Sequence, residues 1–322
     1  MKSARVVLSV DIGGTKCAVA LARTDGEILA RRSEPTRAAE RKPEQVLAGL
    51  AAMAREAIAD AGMAPGDVAG VGVSCGGPLD RERGVILSPP NLPEWKAVPV
   101  RAFFEEALGL PVRVENDANA TALAEWRFGA GQGARHLVFL TMGTGIGGGI
   151  ILDGRLVHGA NDLAGEIGHQ TILMNGPVCG CGKRGCLEAL ASGPAIARLA
   201  RDSMMYGRHK RVLALAGGRP ADITAAHVVQ AAREGDPFAC QILEEAGTYM
   251  GIGIANVIQI LNPERVILGT IAVHAGDLIL DPIRAAVAEY AWERSRQVCA
   301  IVPAALGDRA QDLAGVALWV ED

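Results

Sequence analysis

The chain has 322 residues, of which 49% are hydrophobic and 21% are charged, and its formal net charge is −4. This length predicts two domains and allows roughly 75% of the surface of the unfolded chain to be buried. The near-balanced charge provides no basic field for a nucleic-acid backbone, so we expect no nucleic-acid partner.

Two apolar segments bear on localisation. The run before Asp11 is too short for the core of a signal peptide. Residues 246–263 are uncharged but contain polar side chains, and they fall short of the about 20 apolar residues of a membrane span. We therefore expect a cytoplasmic protein with no membrane partner, and a buried helix at this segment.

The first elements in the chain are predicted to be three strands joined by turns. Val6–Val10 is a β-branched run that leads into a glycine turn at 11–16, after which an apolar run resumes at 17–22. The dipeptide Asp25-Gly26 is a strong hairpin signal, so residues 27–31 are predicted to form the third strand.

The same arrangement returns in the second half, which indicates an internal duplication. A strand at 137–141 leads into a glycine turn at 143–149, and a strand at 150–152, the dipeptide Asp153-Gly154 and a strand at 155–158 follow. Backbone N–H groups of such turns can face anionic oxygens. Two of them across a cleft could hold the two ends of a phosphate chain, although each turn alone also fits a hairpin needed only for sheet packing.

The glycine turn of the second half also satisfies the pattern GxGxxG, but its context excludes a dinucleotide fold. A Rossmann turn opens a helix, whereas a strand follows here, and no Walker A loop occurs in the chain.

The remaining elements follow from helical spacing, β-branched runs and capping residues. Helices are predicted at 43–61, 118–128, 187–200, 237–261, 282–294 and 310–320, and strands at 68–73, 112–114 and 265–268. Ligands gather at the carboxyl ends of strands in an open α/β sheet. Because Asn116 and Asp117 follow a strand, we place the main domain boundary there, which gives domains at 1–117 and 118–309.

Asp117 is the best candidate for a general base. Its carboxylate has the capacity to accept the proton of an alcohol during phosphoryl transfer, and the amide of Asn116 beside it can orient a substrate hydroxyl. The alternative is that one of these residues only caps the helix that follows, which both residue types do well.

The strongest local signal is a cluster of possible metal ligands within 169–186. Three of the seven cysteines and one histidine are spaced at gaps of ten, two and five, namely His169, Cys179, Cys181 and Cys186. This composition is that of a closed structural zinc site, with reduced cysteines in a loop as the alternative. Glu166 and Glu188 flank the cluster, so the metal would bring both carboxylates near one place, where they could bind sugar hydroxyls or remain as solvated surface groups.

Five segments resemble, in order, the motifs of the ROK family of sugar kinases and repressors, and the resemblance extends over essentially the whole chain. The segments are 11–16, 115–120, 143–149, 165–169 and 179–188. The resemblance implies a two-domain α/β fold of the actin-like, ribonuclease-H-like type. It also implies a nucleotide cleft between the domains, and a C-terminal helix at about 310–322 that returns to the first domain.

The resemblance also implies roles for individual residues. Asp117 would deprotonate a sugar hydroxyl, usually the 6-hydroxyl of a hexose. The sugar would contact the backbone near Gly77 and the side chains of Asn116, Glu166, His169 and Glu188. The ATP phosphates, neutralised by magnesium, would lie against Asp11, Gly13, Gly14, Thr15, Lys16, Thr144, Gly145, Gly147 and Gly148, and Gly269 would lie near the adenosine. One departure is the pair Thr270-Ile271, where the family commonly has further glycines.

Three functions follow as hypotheses. The first is an ATP-dependent hexose kinase, a glucokinase before a kinase of N-acetylglucosamine, N-acetylmannosamine or fructose, with ADP or polyphosphate left open as phosphoryl donors. The second is a sugar-responsive repressor, which is disfavoured because only ten residues precede Asp11 and the net charge is negative. The third is a sugar-binding protein without catalysis. A homodimer is common in the family.

Overall fold

The computed structural model describes residues 4–204 and 209–320. Its strands are Val6–Ile12 (β1), Lys16–Arg23 (β2), Ile28–Pro35 (β3), Val68–Cys75 (β4), Leu79–Asp80 (β5), Val85–Ile86 (β6), Val112–Asn116 (β7), Leu137–Leu140 (β8), Gly148–Leu152 (β9), Arg155–Leu156 (β10), Arg265–Leu268 (β11) and Ala300–Pro303 (β12). Its helices are Pro43–Asp60 (α1), Val100–Leu108 (α2), Asp117–Phe128 (α3), Leu187–Ala191 (α4), Gly193–Asp202 (α5), Lys210–Leu215 (α6), Ala225–Arg233 (α7), Pro237–Leu261 (α8), Ile271–Ala275 (α9), Asp277–Tyr290 (α10), Glu293–Arg296 (α11) and Arg309–Ala317 (α12).

Two five-stranded sheets repeat one topology. The first has the order β3-β2-β1-β4-β7 and the second has the order β10-β9-β8-β11-β12. In each sheet, three antiparallel strands joined by hairpins are followed by two parallel strands. The Asp25-Gly26 and Asp153-Gly154 turns join the second and third strands of each set, as predicted. The predicted internal duplication is therefore confirmed.

Helices α3 and α12 pack against each other and connect the two sheets. One face of α3 packs on the second sheet through Ala122, and Ala124 packs with α12 and the first sheet. The backbones of α12 and β4 approach so closely that a Cβ atom on Gly72 would lie 2.0 Å from the carbonyl oxygen of Gly315. We propose on this basis that the domains are 1–117 and 118–309, with the last helix returning to the first domain.

The outer face of each sheet is covered by its own helices. Helices α1 and α2 bury the first sheet, and α4, α5 and α7–α10 bury the second. The longest helix, α8, matches its predicted bounds of 237–261 and is largely buried, as expected for its uncharged segment. Within residues 4–204 and 209–320, no helix combines the length and the apolarity needed to cross a bilayer.

Several predicted helix bounds were wrong. The helix predicted at 187–200 is two helices, because Ser192 ends α4 and caps α5 by accepting a hydrogen bond from the N–H of Ala195 at 3.3 Å. The helix predicted from Pro282 begins at Asp277, so the proline lies inside it. Gly247 on α8 makes room for this proline, since a Cβ atom there would lie 2.7 Å from the Pro282 Cβ atom.

Other predicted bounds shift by a few residues, and several elements were missed. The last helix is 309–317 and not 310–320, and β10 is two residues long where four were predicted. Several short elements that lie between stronger signals were not predicted, namely helices α2, α6, α7 and α9 and strands β5, β6 and β12.

Candidate active site

A cavity of about 360 Å³ lies between the two halves of the molecule. The first half contributes Asp11 and Gly13 at the end of β1, and the second contributes Thr141 and Gly269, which follow β8 and β11. The carboxyl ends of strands from both sheets therefore face one space, as expected for ligand sites of α/β sheets.

The carboxyl group of Asp11, in this cavity, has a strongly raised pKa. Burial raises its pKa to about 7, and the negative charges of Asp117 and Asp312 add to the increase. A hydrogen bond with Ser74 and the charge of Lys16 act in the opposite direction. A carboxyl group with this pKa can change its protonation state near neutral pH.

The β1–β2 turn is held by contacts within the first half. The N–H of Gly13 donates to the carbonyl oxygen of Lys16 at 3.2 Å, which closes the turn. The hydroxyl of Thr36, after β3, donates to the carbonyl oxygen of Gly13 at 2.6 Å. The turn is therefore tied to the edge of its own sheet.

The β8–β9 turn is longer and is held from outside its hairpin. Its ends are closed by a 2.9 Å hydrogen bond from the N–H of Thr141 to the carbonyl oxygen of Gly147. The carboxylate of Glu188, at the start of α4, accepts a hydrogen bond from the N–H of Ile146 at 3.0 Å. The N–H of Ile146 therefore has its hydrogen-bond partner in Glu188, two residues after the last cysteine of the cluster.

A smaller pocket adjoins the cavity at the start of α3. It is lined by Gly77, Asn116, Asp117, Gly147, Gly148, Glu166 and neighbouring residues of 162–165. The Asn116 side chain caps α3, since its Oδ1 atom accepts from the N–H of Ala118 at 2.9 Å. Its Nδ2 atom faces Gly77, where a Cβ atom would lie 3.2 Å from it. Asn116 can therefore cap α3 through Oδ1 and at the same time present its Nδ2 N–H group to the pocket.

Among the residues that the structure describes, Asp117 alone lines both the cavity and the smaller pocket. Its Oδ1 atom accepts a hydrogen bond from the N–H of Ala118 at 2.8 Å, which orients the carboxylate. The side chain is open to the cleft, but the protein around it raises the pKa of its carboxyl group, and burial is the main cause. A raised pKa makes the ionised form a stronger base.

The four predicted metal ligands come together in space. The ligand atoms of His169, Cys179, Cys181 and Cys186 all lie within 4.8 Å of one another. The Sγ atoms of Cys181 and Cys186 are 3.7 Å apart, close to the about 3.8 Å that two thiolates on one tetrahedral zinc ion require. The donor set and its geometry fit a zinc ion with four protein ligands.

The cluster connects to the pocket through its histidine and through Glu188. The Nδ1 atom of His169 lies 3.7 Å from the Sγ atom of Cys179, and its Nε2 atom lies 3.7 Å from a carboxylate oxygen of Glu166. The other oxygen of Glu188 lies 3.5 Å from the Sγ atom of Cys179. A metal ion in the cluster would therefore fix both the pocket carboxylate and the support of the β8–β9 turn.

Comparison with known proteins agrees with this architecture. The family model described as ROK family matches residues 7–322. The chain belongs to the ROK family. A glucokinase of Thermotoga maritima is 40% identical over 284 residues, which cover 88% of this chain and 87% of that protein.

A crystal structure of a ROK family glucokinase from Streptomyces griseus, in complex with glucose and AMPPNP, superposes with a TM-score of 0.81. It is 36% identical and covers 98% of this chain and 99% of its own. The predicted α/β actin-like fold with a central cleft is confirmed by this similarity and by the two repeated sheets. A xylose repressor of Caldicellulosiruptor bescii is 33% identical over 316 residues, but these cover 78% of its length.

Thr270, where the ROK resemblance led us to expect a glycine, has an unusual backbone. Its φ angle is +53° and its ψ angle is −105°, although a β-branched residue strongly disfavours positive φ. Together with Gly269 and His274 it lines the large cavity. The departure from the family pattern therefore lies beside the space where the resemblance places the nucleotide.

The other predicted residues are found in one of the two spaces or outside both, and His169 and Glu188, predicted to bind the sugar, line neither space. Gly147 and Gly148, expected at the phosphates, line the smaller pocket, and Gly269 lines the cavity. Five residues of the two turns line neither space, namely Gly14, Thr15, Lys16, Thr144 and Gly145. Sequence analysis missed Ser74 and Thr141, which line the cavity at strand ends and could have been found by that position alone.

Proposed function

We propose that this chain transfers the γ-phosphoryl group of ATP to the 6-hydroxyl group of glucose. That it is a sugar kinase follows from relatives such as the Thermotoga maritima glucokinase, which match it over nearly their whole length. The proposal that ATP and glucose are the substrates is based on the position of Asp117, which lines both the large cavity and the smaller pocket. A sugar and a nucleotide placed in these two spaces would meet at its carboxylate.

ATP would occupy the large cavity, with its phosphates directed toward Asp11 and Gly13 and its adenosine near Gly269. Backbone N–H groups of the two glycine turns would face the phosphate oxygens. Magnesium, when bound to the phosphates, neutralises their charge and the charge that develops on transfer. It would also offset the repulsion between the phosphates and the two nearby carboxylates.

Glucose would occupy the smaller pocket. Its hydroxyl groups would accept from the Nδ2 atom of Asn116 and donate to Glu166, with backbone contact near Gly77. His169 would contact a hydroxyl through the nitrogen that does not face the cysteines, and Glu188 would complete the set. A bound zinc ion would have no catalytic position in this scheme, because four protein ligands close its coordination sphere.

Asp117 would accept the proton of the 6-hydroxyl as the oxygen attacks the γ-phosphorus. The bond between this phosphorus and the β,γ-bridging oxygen breaks, ADP leaves with the electron pair, and the proton remains on the carboxyl group. Closure of the two halves around the substrates would exclude water, so that the sugar and not solvent accepts the phosphoryl group.

The test is the substitution Asp117→Asn in a coupled ADP-release assay. Asparagine keeps the size of the side chain and the contact with the Ala118 N–H, but it cannot accept the proton. We expect kcat to fall by about 10²–10⁴-fold, while the affinity for glucose measured by calorimetry stays within threefold.

Asp236→Asn is the matched control for this substitution. Asp236 also lies at a helix N-terminus and accepts from the N–H of Ala239 at 2.8 Å, but outside the site. This control should keep normal turnover. Near-normal turnover of the Asp117→Asn variant would remove Asp117 from the role of base.

The same assay with a panel of sugars and donors separates the alternatives. Preferential phosphorylation of N-acetylglucosamine, N-acetylmannosamine or fructose would show that glucose is not the preferred substrate. Activity with ADP or polyphosphate would show that ATP is not the sole phosphoryl donor. Saturable sugar binding without phosphorylation of any hexose would favour a sugar-sensing regulator or a binding protein. The similarity to a xylose repressor is the observation that supports a regulator as the alternative function.

A further inference from the structure

Glu115 is a buried acidic residue of β7, the strand that leads to the smaller pocket at the start of α3. Its side chain is 4% exposed, and the other buried acids among residues 4–204 and 209–320 are Glu125 and Asp312. Burial of a carboxylate is costly unless hydrogen bonds or an opposite charge compensate for it. Asp312 pairs with Arg31, whereas the partners of Glu115 lie on two sides of the pocket.

One carboxylate oxygen of Glu115, Oε1, binds the first wall of the pocket. It accepts hydrogen bonds from the backbone N–H of Asn116 at 3.0 Å and from the Nδ2 atom of Asn119 at 3.1 Å. Both asparagines line the pocket, and Asp117 lies between them in the chain. This oxygen therefore holds the segment that carries Asn116 and Asp117.

The other carboxylate oxygen, Oε2, binds the opposite wall. It lies 2.8 Å from the Nε2 atom of His158, and the imidazole donates through this nitrogen because a carboxylate can only accept. His158 opens the loop 158–166, of which residues 162–166 line the pocket. The loop folds back on its first residue, since the N–H of Ala164 donates to the carbonyl oxygen of His158 at 3.0 Å. Glu115 therefore joins two walls that come from different halves of the molecule.

A second contact between this loop and the first half is longer. The Nε atom of Arg81 lies 3.4 Å from one carboxylate oxygen of Asp162, and the backbone N–H of Arg81 lies 3.3 Å from the other. Short hydrogen bonds to ionised groups are the strong ones, and low local dielectric strengthens them further. The buried contact of Glu115 with His158 is therefore the firmer of the two links.

We propose that Glu115 and His158 are positioning residues for the sugar, because together they hold the two walls of the pocket at a fixed separation. This inference rests on the proposed function, which places the sugar in this pocket. Neither residue is among those that line the pocket, so both act through Asn116 and through the loop 158–166. Walls that are fixed in advance do not have to be ordered when the sugar binds, which increases its affinity.

The test is the variant His158→Phe of the full chain, with glucose and ATP varied separately in the ADP-release assay. Phenylalanine keeps a planar ring but cannot donate to Glu115. We expect KM for glucose to rise about tenfold, as for loss of a hydrogen bond to a charged group, with kcat within threefold and KM for ATP within twofold. Calorimetry should show the same loss of glucose affinity. A purely structural role would affect both substrates alike, so the difference between the two KM values separates the two roles.

The variant His158→Gln tests the donated hydrogen bond itself. The Nε2 atom of glutamine can take the place of the imidazole Nε2 atom and donate to Glu115. KM for glucose should therefore return to within about threefold of the wild type.

His136→Phe is the matched control. His136 is also a histidine beside a carboxylate, with its Nε2 atom 3.6 Å from an oxygen of Asp153, but it lines neither the cavity nor the pocket. This variant should leave both KM values within twofold of the wild type.

If the His158→Phe chain does not fold, Glu115→Gln takes its place. Glutamine keeps the size of the side chain and an acceptor for Asn116 and Asn119, but it removes the charge that strengthens the contact with His158. We expect KM for glucose to rise about threefold or more. Where both single variants fold, the double variant should raise KM by less than the product of the two single effects, because both changes act on one contact.

The proposal is overturned if His158→Phe leaves KM for glucose within twofold of the wild type, or if KM for glucose and KM for ATP rise together. Failure of the proposed function gives a different result, because the wild type itself would then not phosphorylate glucose. If the wild type accepts another hexose, the same comparison is made with that hexose. If it binds glucose without phosphorylating it, the calorimetric affinities of wild type and variant decide the positioning role. A wild type that binds no hexose overturns both proposals.

Discussion

The two glycine turns repeat one strand pattern, but they are held in place by different chemistry. The β1–β2 turn is tied to its own sheet by the hydroxyl of Thr36, 2.6 Å from the carbonyl oxygen of Gly13. The β8–β9 turn is tied through Ile146 to Glu188, whose other oxygen lies beside Cys179. The repeated topology therefore fixes where each turn lies, while the support of each turn is supplied locally, and the support of the second turn lies beside the cysteine cluster.

The two turns also differ in the group that precedes them. Asp11 ends β1 with a buried carboxyl group whose pKa is about 7, whereas Thr141 follows β8 with a hydroxyl group. Asp117 already faces the same cavity and raises the pKa of Asp11. A third carboxylate at 141 would add to this repulsion, so a neutral hydroxyl at the second turn is the less costly arrangement.

Loss of the metal should have the largest effect on activity, because it weakens the support of the β8–β9 turn and leaves that of the β1–β2 turn intact. We expect Cys181→Ser to abolish bound zinc and to lower kcat/KM for the sugar by about 10–100-fold, with the change mainly in KM, as for other residues that position a site. Metal analysis and steady-state kinetics measure the two effects. Cys181 is exposed, so its substitution leaves no cavity in the core.

Cys240→Ser is the control for this substitution, since Cys240 lies outside the cluster and is partly buried. It should retain zinc and sugar affinity. Unchanged sugar affinity in a Cys181→Ser protein without metal would refute the anchoring of the pocket by zinc.

The carboxyl group at the first turn should give the next largest effect, seen in stability as a function of pH. Because burial raises its folded-state pKa above the unfolded value, its contribution to stability is full below pH about 4 and is lost as pH rises through about 7. The free energy of unfolding of Asp11→Asn should therefore increase relative to the wild type by about 2 kcal/mol between pH 5 and pH 8. Urea unfolding at both values measures this difference.

Asp25→Asn supplies the comparison for this measurement, because Asp25 is an exposed carboxylate in the loop between β2 and β3. It should show no such gain. A difference between the wild type and Asp11→Asn that does not vary with pH would mean that the carboxyl group is not protonated in the folded protein at pH 5.

The smallest effect is expected beside the second turn, at Thr270. Its φ of +53° is strained for threonine, so Thr270→Gly should raise the free energy of unfolding by about 1 kcal/mol. Thr248→Gly, in the middle of α8, should lower it by about 0.4 kcal/mol instead. Urea unfolding of both variants tests the opposite signs, and destabilisation by both would show that the backbone at 270 is not strained.

Most strands and the longest helices could be predicted because their signals are local. The hairpins at Asp25-Gly26 and Asp153-Gly154 and the uncharged helix 237–261 need only turn chemistry and a continuous apolar pattern. The start of α10 could not be predicted, because Gly247 on another helix makes room for Pro282. The break between α4 and α5 has a local cause at Ser192, but a serine inside an apolar pattern is a weak stop signal.

The same division holds for the site. Residue types and spacings are local properties, so the chemical groups could be read from the sequence: the glycine turns, the cluster of three thiols and an imidazole, and the strand-end carboxylate Asp117. The folded chain was needed to show that Asp117 borders two spaces and that Glu188 supports the second turn. These arrangements depend on contacts between residues far apart in sequence, and such contacts are set by how the two sheets pack through α3 and α12.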